Sequence, residues 1–485
     1  MILTHAGKRL FKVYVNHPDI DRVEKLRRLA DRIEEFDCRF WTPQIFCFLA
    51  SPGPAPNLKV FRLHDGVQVP ADEPRLELPK LFGGFLPSLR KLSLTSAIWP
   101  TGLFKALRSF KLGTSPRQVI SPDHVLDALR ESPSLETLHL VGTCLPPGDQ
   151  PPPVALPSLM DCTLIGHGAL SLVWYIDIPA SANVFLSTPP LTSDATEVYP
   201  FRGRCLAPRL QALGKASTVS FSIGLDTIKL QVQTNSGGTL NVQMYYYKHV
   251  MSGLMTFVLL LYSPFYDLPC RFQTTKGFAV HIDQGAGCDD LESVHCAVLF
   301  LDFISDAPPL EQLELHGLST KALSLFFRPL HECSKAVILF PNIRRLYIET
   351  TPLHSPKSLL EDLDKLLRGR MELGLPLESV DMRVNCEVLI PFAEHSAFLT
   401  SWGYLVEEDV RVEYLRNKAE NLAGREVRIC CLGLDIEKDE EDVEDKEEEE
   451  EAGVAESGGS DPDWESWISG QWPRAASDMK GPTGR

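Results

Sequence analysis

The chain has 485 residues, 44% of them hydrophobic, which is enough to fill two or three ordinary domains or one extended array. Its formal net charge of −16 is unevenly placed, because 13 carboxylates against Lys438 and Lys446 fall between Asp435 and Glu451. A nucleic-acid binder presents a basic stripe to phosphates, and this balance speaks against one.

From the N-terminus, Phe11, Val13 and Val15 alternate as in a strand, while Ile20, Val23, Leu26, Ala30 and Ile33 follow helical spacing. The chain is therefore expected to begin with a strand and a helix. Residues 1–10 are too few to supply the polar cap that ends a stacked array, so an array missing its beginning is expected.

A short phrase, Pro-x-Leu-x-x-Leu-x-Leu, then returns along the chain. Pro56-Asn57-Leu58 leads to Phe61 and Leu63, Pro87-Ser88-Leu89 to Leu92 and Leu94, and Pro133-Ser134-Leu135 to Leu138 and Leu140. Pro157-Ser158-Leu159 leads to Cys162 and Leu164, and Pro341-Asn342-Ile343 to Leu346 and Ile348. Looser copies are Ile33, Phe36, Cys38; Leu107, Phe110, Leu112; Leu310, Leu313, Leu315; and Leu377, Val380, Met382. The last two apolar residues of each triplet are two apart on a strand and point into one core, while the first packs where the strand begins. Stacking such units gives parallel strands on one side and irregular helices on the other. The 18-residue step from Leu89 to Leu107 is too short for a helix, so a tight turn or a miscount is expected there.

Connecting segments carry helix signals. Ser121-Pro122-Asp123 places Ser at an N-cap and Pro at the first helical position, ahead of Val125, Leu126 and Leu129. Ser355-Pro356 opens a second helix through Leu359, Leu360, Leu363, Leu366 and Leu367, ending near Gly369 or Gly374.

The fold class read from these signals is α/β, a leucine-rich-repeat-like solenoid with parallel strands on its concave side. An N-terminal array covers residues 1–168, a β-rich middle segment 169–305, a C-terminal array 306–425, and an acidic tail 426–485. In the middle, Val219, Phe221, Ile223, Ile228, Leu230, Val232, Leu240, Val242 and Met244 alternate as in strands, and Thr234-Asn235-Ser236-Gly237-Gly238 signals a hairpin. Degenerate repeats and an inserted β subdomain both fit. The apolar run Val250–Tyr262 spans 13 residues, short of the ~20 that cross a bilayer, so no membrane role is expected. The tail cannot offset its ordering entropy and is expected to be disordered, with Trp464, Trp467 and Trp472 beside acids as a possible docking motif.

The search for chemistry returns little. His281, Cys288, His295 and Cys296 are metal-ligand types without paired Cys-x-x-Cys spacing, so neither metal nor cofactor is expected, and adjacent Cys430 and Cys431 would face opposite ways on a strand, which speaks against a redox pair. Gly285-Ala286-Gly287 has no third glycine, and neither a phosphate loop nor a nucleophile elbow occurs. The 12 cysteines are scattered and no secretory leader precedes them, which fits thiols packed as core residues in the cytoplasm or nucleus.

The Arg32-Ile33 helix end, the Pro-Ser-Leu phrases after a Ser-Pro helix start, and the closing Gly374-Leu375-Pro376-Leu377-Glu378-Ser379-Val380 resemble fungal F-box proteins with leucine-rich-repeat-like arrays, across residues 8–415. The resemblance implies a non-enzymatic protein-binding scaffold, similar to the substrate-recognition part of a ubiquitin ligase. Nothing before Ile33 resembles the Leu-Pro start or closing Cys-x-x-Trp of an F-box, so the Skp-type adaptor contact lacks its docking element. Two other readings stand beside it: a binding module unrelated to ubiquitin, and an enzyme with its site around His281, Asp283 and His295. For the scaffold, the positions between inward leucines define a partner-binding stripe of Arg62, Lys91, Lys111, His139, Glu314, Tyr347 and Asp381, with Tyr347 as its anchor.

Overall fold

A computed structural model describes residues 10–15, 26, 28–39, 43–50, 53–64, 76–95, 97–99, 102–113, 119–144, 152–187, 215–224, 227–245, 274–282, 309–331, 341–350, 357–386, 406–416 and 428–429. All belong to one compact unit, Met1–Gly433; a second unit, Leu434–Arg485, contains none of them. The Val250–Tyr262 run, Asp283, the Gly285 and Gly287 pair, Cys288, His295, Cys296, Cys430, Cys431 and the tail tryptophans thus lie outside the described residues.

The architecture is mixed α/β, built on one large sheet of 17 strands. Strands β1 (Phe11–Val15), β2 (Ile33–Cys38), β3 (Val60–Leu63), β4 (Lys91–Thr95), β5 (Ser109–Gly113), β6 (Thr137–Val141), β7 (Asp161–Ile165) and β8 (Asn183–Ser187) lie side by side in chain order, all parallel. The next three reverse that order. Strand β11 (Thr239–Tyr245) pairs with β8, β10 (Thr227–Thr234) runs antiparallel beside it, and β9 (Ala216–Ile223) hands the sheet on to β12 (Gly277–Ile282). Parallel pairing then resumes through β13 (Gln312–Leu318), β14 (Arg345–Thr350), β15 (Leu377–Cys386) and β16 (Val406–Arg416), and the short antiparallel β17 (Arg428–Ile429) closes the series. Among the described strands only β10 and β17 run against the rest. The sheet is open, since β1 pairs only with β2 and β17 only with β16 among the described residues.

The recurring proline has a local cause. Leu58 N–H donates to Ala55 O, Leu89 to Leu86 O, Leu135 to Ser132 O and Leu159 to Leu156 O, at 3.1–3.2 Å. Each bond closes a four-residue turn with Pro at its second position, where a fixed φ is already correct. The turn drops the following leucine into the core, and Leu58, Leu89, Leu135 and Leu159 are all buried. Two residues later the strand begins.

Register follows from the leucines. Phe61 pairs with Leu92, Leu92 with Phe110, Phe110 with Leu138 and Leu138 with Cys162; farther on, Leu313 pairs with Leu346 and Leu346 with Val380. All are buried in one continuous cluster that also holds the apolar faces of the helices. Slipping any strand by one residue would turn its leucines out of that core, so the parallel register is strongly fixed. Aromatic rings reinforce the N-terminal end, where Phe36 stacks on Phe61 at 5.7 Å and Phe48 meets Phe82 edge-on at 5.4 Å.

Five α-helices are described: α1 (Pro43–Leu49), α2 (Pro122–Arg130), α3 (His167–Ser171), α4 (Thr320–His331) and α5 (Lys357–Glu372). None is long and apolar enough to cross a membrane. Helix α2 begins as its sequence predicts, with Ser121 at the N-cap and Pro122 at N1, although the Ser121 side chain makes no capping hydrogen bond. Gly374, not Gly369, stops helix α5 just past Glu372: Gly374 adopts φ +71°, and Leu375 N–H returns to Arg370 O at 2.9 Å. Arg370 itself is buried and donates from Nη2 to Ile343 O at 2.8 Å, tying the helix to the turn before β14.

Two expectations are refined. Ile33 is not the end of a helix but the first residue of β2, after the 3-10 turn Ala30–Arg32. The 18-residue step is a genuine strand-to-strand step without a helix, its space filled by buried Trp99, Leu103 and Phe104, with Trp99 edge-on to Phe110 at 5.7 Å. In the middle segment the hairpin forms where the glycines predict it, with Gly237 at φ +85° and Thr234 N–H donating to Gly238 O. Its strands extend the same sheet.

Candidate functional site

Positions between the inward residues fall on one register row across the sheet. It runs Tyr14, Asp37, Arg62, Ser93, Lys111, His139, Thr163 and Phe185, then Asn241, Gln231, Ser220, Ala279, Glu314, Tyr347, Asp381 and Arg411. Period-2 alternation puts the row from Tyr14 to Asp381 on the face opposite the leucine core. Six of the seven stripe residues expected from sequence lie on it: Arg62, Lys111, His139, Glu314, Tyr347 and Asp381. Lys91 does not. It shares the face but sits one step nearer the strand starts, level with Val60 and Ser109, and Ser93 occupies the row. The reason is arithmetic: in Leu89-Arg90-Lys91-Leu92-Ser93-Leu94 the residue between the inward pair is Ser93.

The row is charged at both ends and neutral between them. At the N-terminal end Arg62 lies 3.6 Å from Asp37 and 4.0 Å from Glu35, with Lys111 two strands away. Burial, helped by the nearby Lys111 charge, pushes the His139 imidazole down to about 4, so it stays neutral at physiological pH. Thr163, Phe185, Asn241, Gln231 and Ser220 carry the centre.

The C-terminal end gathers more chemistry than the stripe alone predicts. One step along the strands a second row places His281, His316, Glu349 and Arg383 in direct register on β12 to β15. The His281 and His316 rings stack with centroids 4.0 Å apart, and His316 lies 4.7 Å from the Tyr347 ring. His316 Nδ1 is 3.2 Å from Glu349 Oε2, which also accepts from the Tyr347 hydroxyl at 3.4 Å. His316 Nε2 is 3.6 Å from Glu314 Oε2, and Gln312 donates to the other oxygen of Glu314 at 2.6 Å. The His316 contact, and with it the Gln312 hydrogen bond, holds the Glu314 carboxyl below the ordinary range against the opposing effect of burial. The Arg383 guanidinium stands 5.5 Å over the Tyr347 ring. Burial raises the Tyr347 hydroxyl to about 12, so it remains a hydrogen-bond donor at neutral pH.

A backbone irregularity aims this cluster. The β13–β14 register shifts between His316 and Leu318, where Gly317 takes φ +70°. A Cβ there would lie 1.8 Å from Ile282 O, so only glycine lets β13 close on β12 beside the two histidines. Of the sequence-level metal candidates, His281 alone is described. Its neighbours in space, Glu314 and His316, come from a strand 33 residues on, a separation no short motif would reveal.

Cys38 and Cys162 are buried in the core and Cys47 is exposed, and burial raises the Cys162 thiol to about 12, which leaves it unreactive. Compared with known proteins, the chain matches no family model, no curated protein and no solved structure.

Proposed function

We propose that this chain is a non-enzymatic recognition scaffold, a leucine-rich-repeat-like solenoid that holds a protein partner along the register row on its strand face. The single row, running through every strand but the last, carries this reading. A sheet whose one face is a continuous leucine core, and whose other face offers half-exposed polar and aromatic side chains in rank, supports binding along its length. Charge defines the occupant as a polypeptide segment with an acidic part against Arg62, Lys91 and Lys111 and a basic part against Glu314, Glu349 and Asp381. By its resemblance to F-box arrays, that occupant is a substrate being selected for a ubiquitin ligase. An F-box encoded in frame upstream would supply the Skp contact, and its absence would leave a binding module without that link.

The test is charge reversal on one face. Lys91→Glu with Lys111→Glu is compared with Lys105→Glu, an exposed lysine outside the strands, in quantitative affinity purification, with circular dichroism confirming the fold. The double variant is expected to lose specific partners by tenfold or more while Lys105→Glu keeps them. An unchanged partner set in the double variant contradicts the stripe.

A further inference from the structure

We infer that His281, Glu314 and His316 form a divalent transition-metal site, with zinc the cation that its donors fit best. The two imidazoles and one carboxylate offer ligand atoms that all lie within 4.8 Å of one another. Two ligands on a tetrahedral zinc, each at ~2.0–2.1 Å, stand about 3.4 Å apart, so the His316 Nε2 to Glu314 Oε2 separation of 3.6 Å already suits a shared ion. The His281 ligand atom lies within 4.8 Å of both.

The arrangement around His316 suits a metal ligand. Among the described residues its buried Nε2 has no hydrogen-bond partner, and the Glu314 carboxylate faces it. On the other side of the ring, Nδ1 lies 3.2 Å from Glu349 Oε2. The gap of 3.6 Å between Nε2 and the Glu314 carboxylate is that of two ligands on one ion. A cation between them turns both into ligands, and the Glu349–His316 pair becomes the carboxylate–histidine support that orients metal-bound imidazoles. Tyr347 steadies that support through its own bond to Glu349. Two imidazoles with a single carboxylate favour zinc, iron, copper or nickel over calcium or magnesium, which take oxygen ligands. Three protein ligands leave one coordination position for water or for a side chain of a bound partner.

The experiment uses the full chain, stripped with a chelator and titrated with Zn²⁺ alone by calorimetry, then loaded with Co²⁺ for visible spectroscopy. One saturable site per chain is expected, weakened at least tenfold by His281→Gln or His316→Gln and about 10–100-fold by Glu349→Ala. His124→Gln, which alters a histidine beside Trp99, leaves it unchanged. The Co²⁺ spectrum is expected to show d–d bands without a thiolate charge-transfer band, which wild-type protein reports even if a variant fails to fold. Absence of saturable binding, binding that survives both histidine substitutions, or a thiolate band would each overturn the site.

Discussion

At the scale of single residues, the row's most consequential member after Tyr347 is His139. Its folded pKa of about 4 lies below the unfolded value of about 6.5, so the unfolded chain binds the extra proton first as pH falls. Stability tied to neutral His139 is therefore complete above pH ~6.5 and is lost progressively down to about pH 4, by at most roughly 3 kcal/mol. Urea denaturation across that window should show this slope in the wild type and a flatter one in His139→Gln; identical slopes would mean His139 is not held neutral. The sequence places His139, Lys111 and Tyr347 on the row because each sits between two inward apolar residues two apart, whereas Lys91 lies between Leu89 and Leu92 and so falls one step short of it. The His281–Glu314–His316 set was out of reach, since its members meet only through parallel pairing of strands far apart in the chain.

At the scale of elements, two kinds of backbone specialist act differently. The turn prolines preset a φ that the turn already tolerates, so their effect works mainly through the entropy of the unfolded chain. Gly317 permits a conformation and an approach that no side chain tolerates. Pro133→Ala is accordingly expected to cost about 0.5–1 kcal/mol, and Gly317→Ala clearly more, both measured by chemical denaturation. Equal losses would show that the bulge after His316 is not constrained by Ile282. The turns were legible because proline, leucine and spacing coincide. The bulge was not, since a lone glycine in a strand pattern signals irregularity without naming what approaches it.

At the scale of the whole molecule, apolar triplets at Leu92, Leu138 and Leu346 foretold parallel strands sharing one core, and their pairing partners lie where that pattern requires. The order of β9, β10 and β11 was not legible. Alternation identifies a strand and its buried face but says nothing about which neighbour it joins, and here the hairpin reverses the order before β12 resumes it. That reversal keeps Gln231 and Asn241 on the same row as Thr163 and Phe185, so the face continues unbroken between its charged ends. The claim that a partner occupies this face is tested most directly by placing a benzophenone amino acid at Phe185, at Tyr347, or at exposed Met371 on α5, and irradiating in cell extract. The account predicts the same covalent adduct from Phe185 and Tyr347 and none from Met371; an adduct confined to Met371 would contradict it.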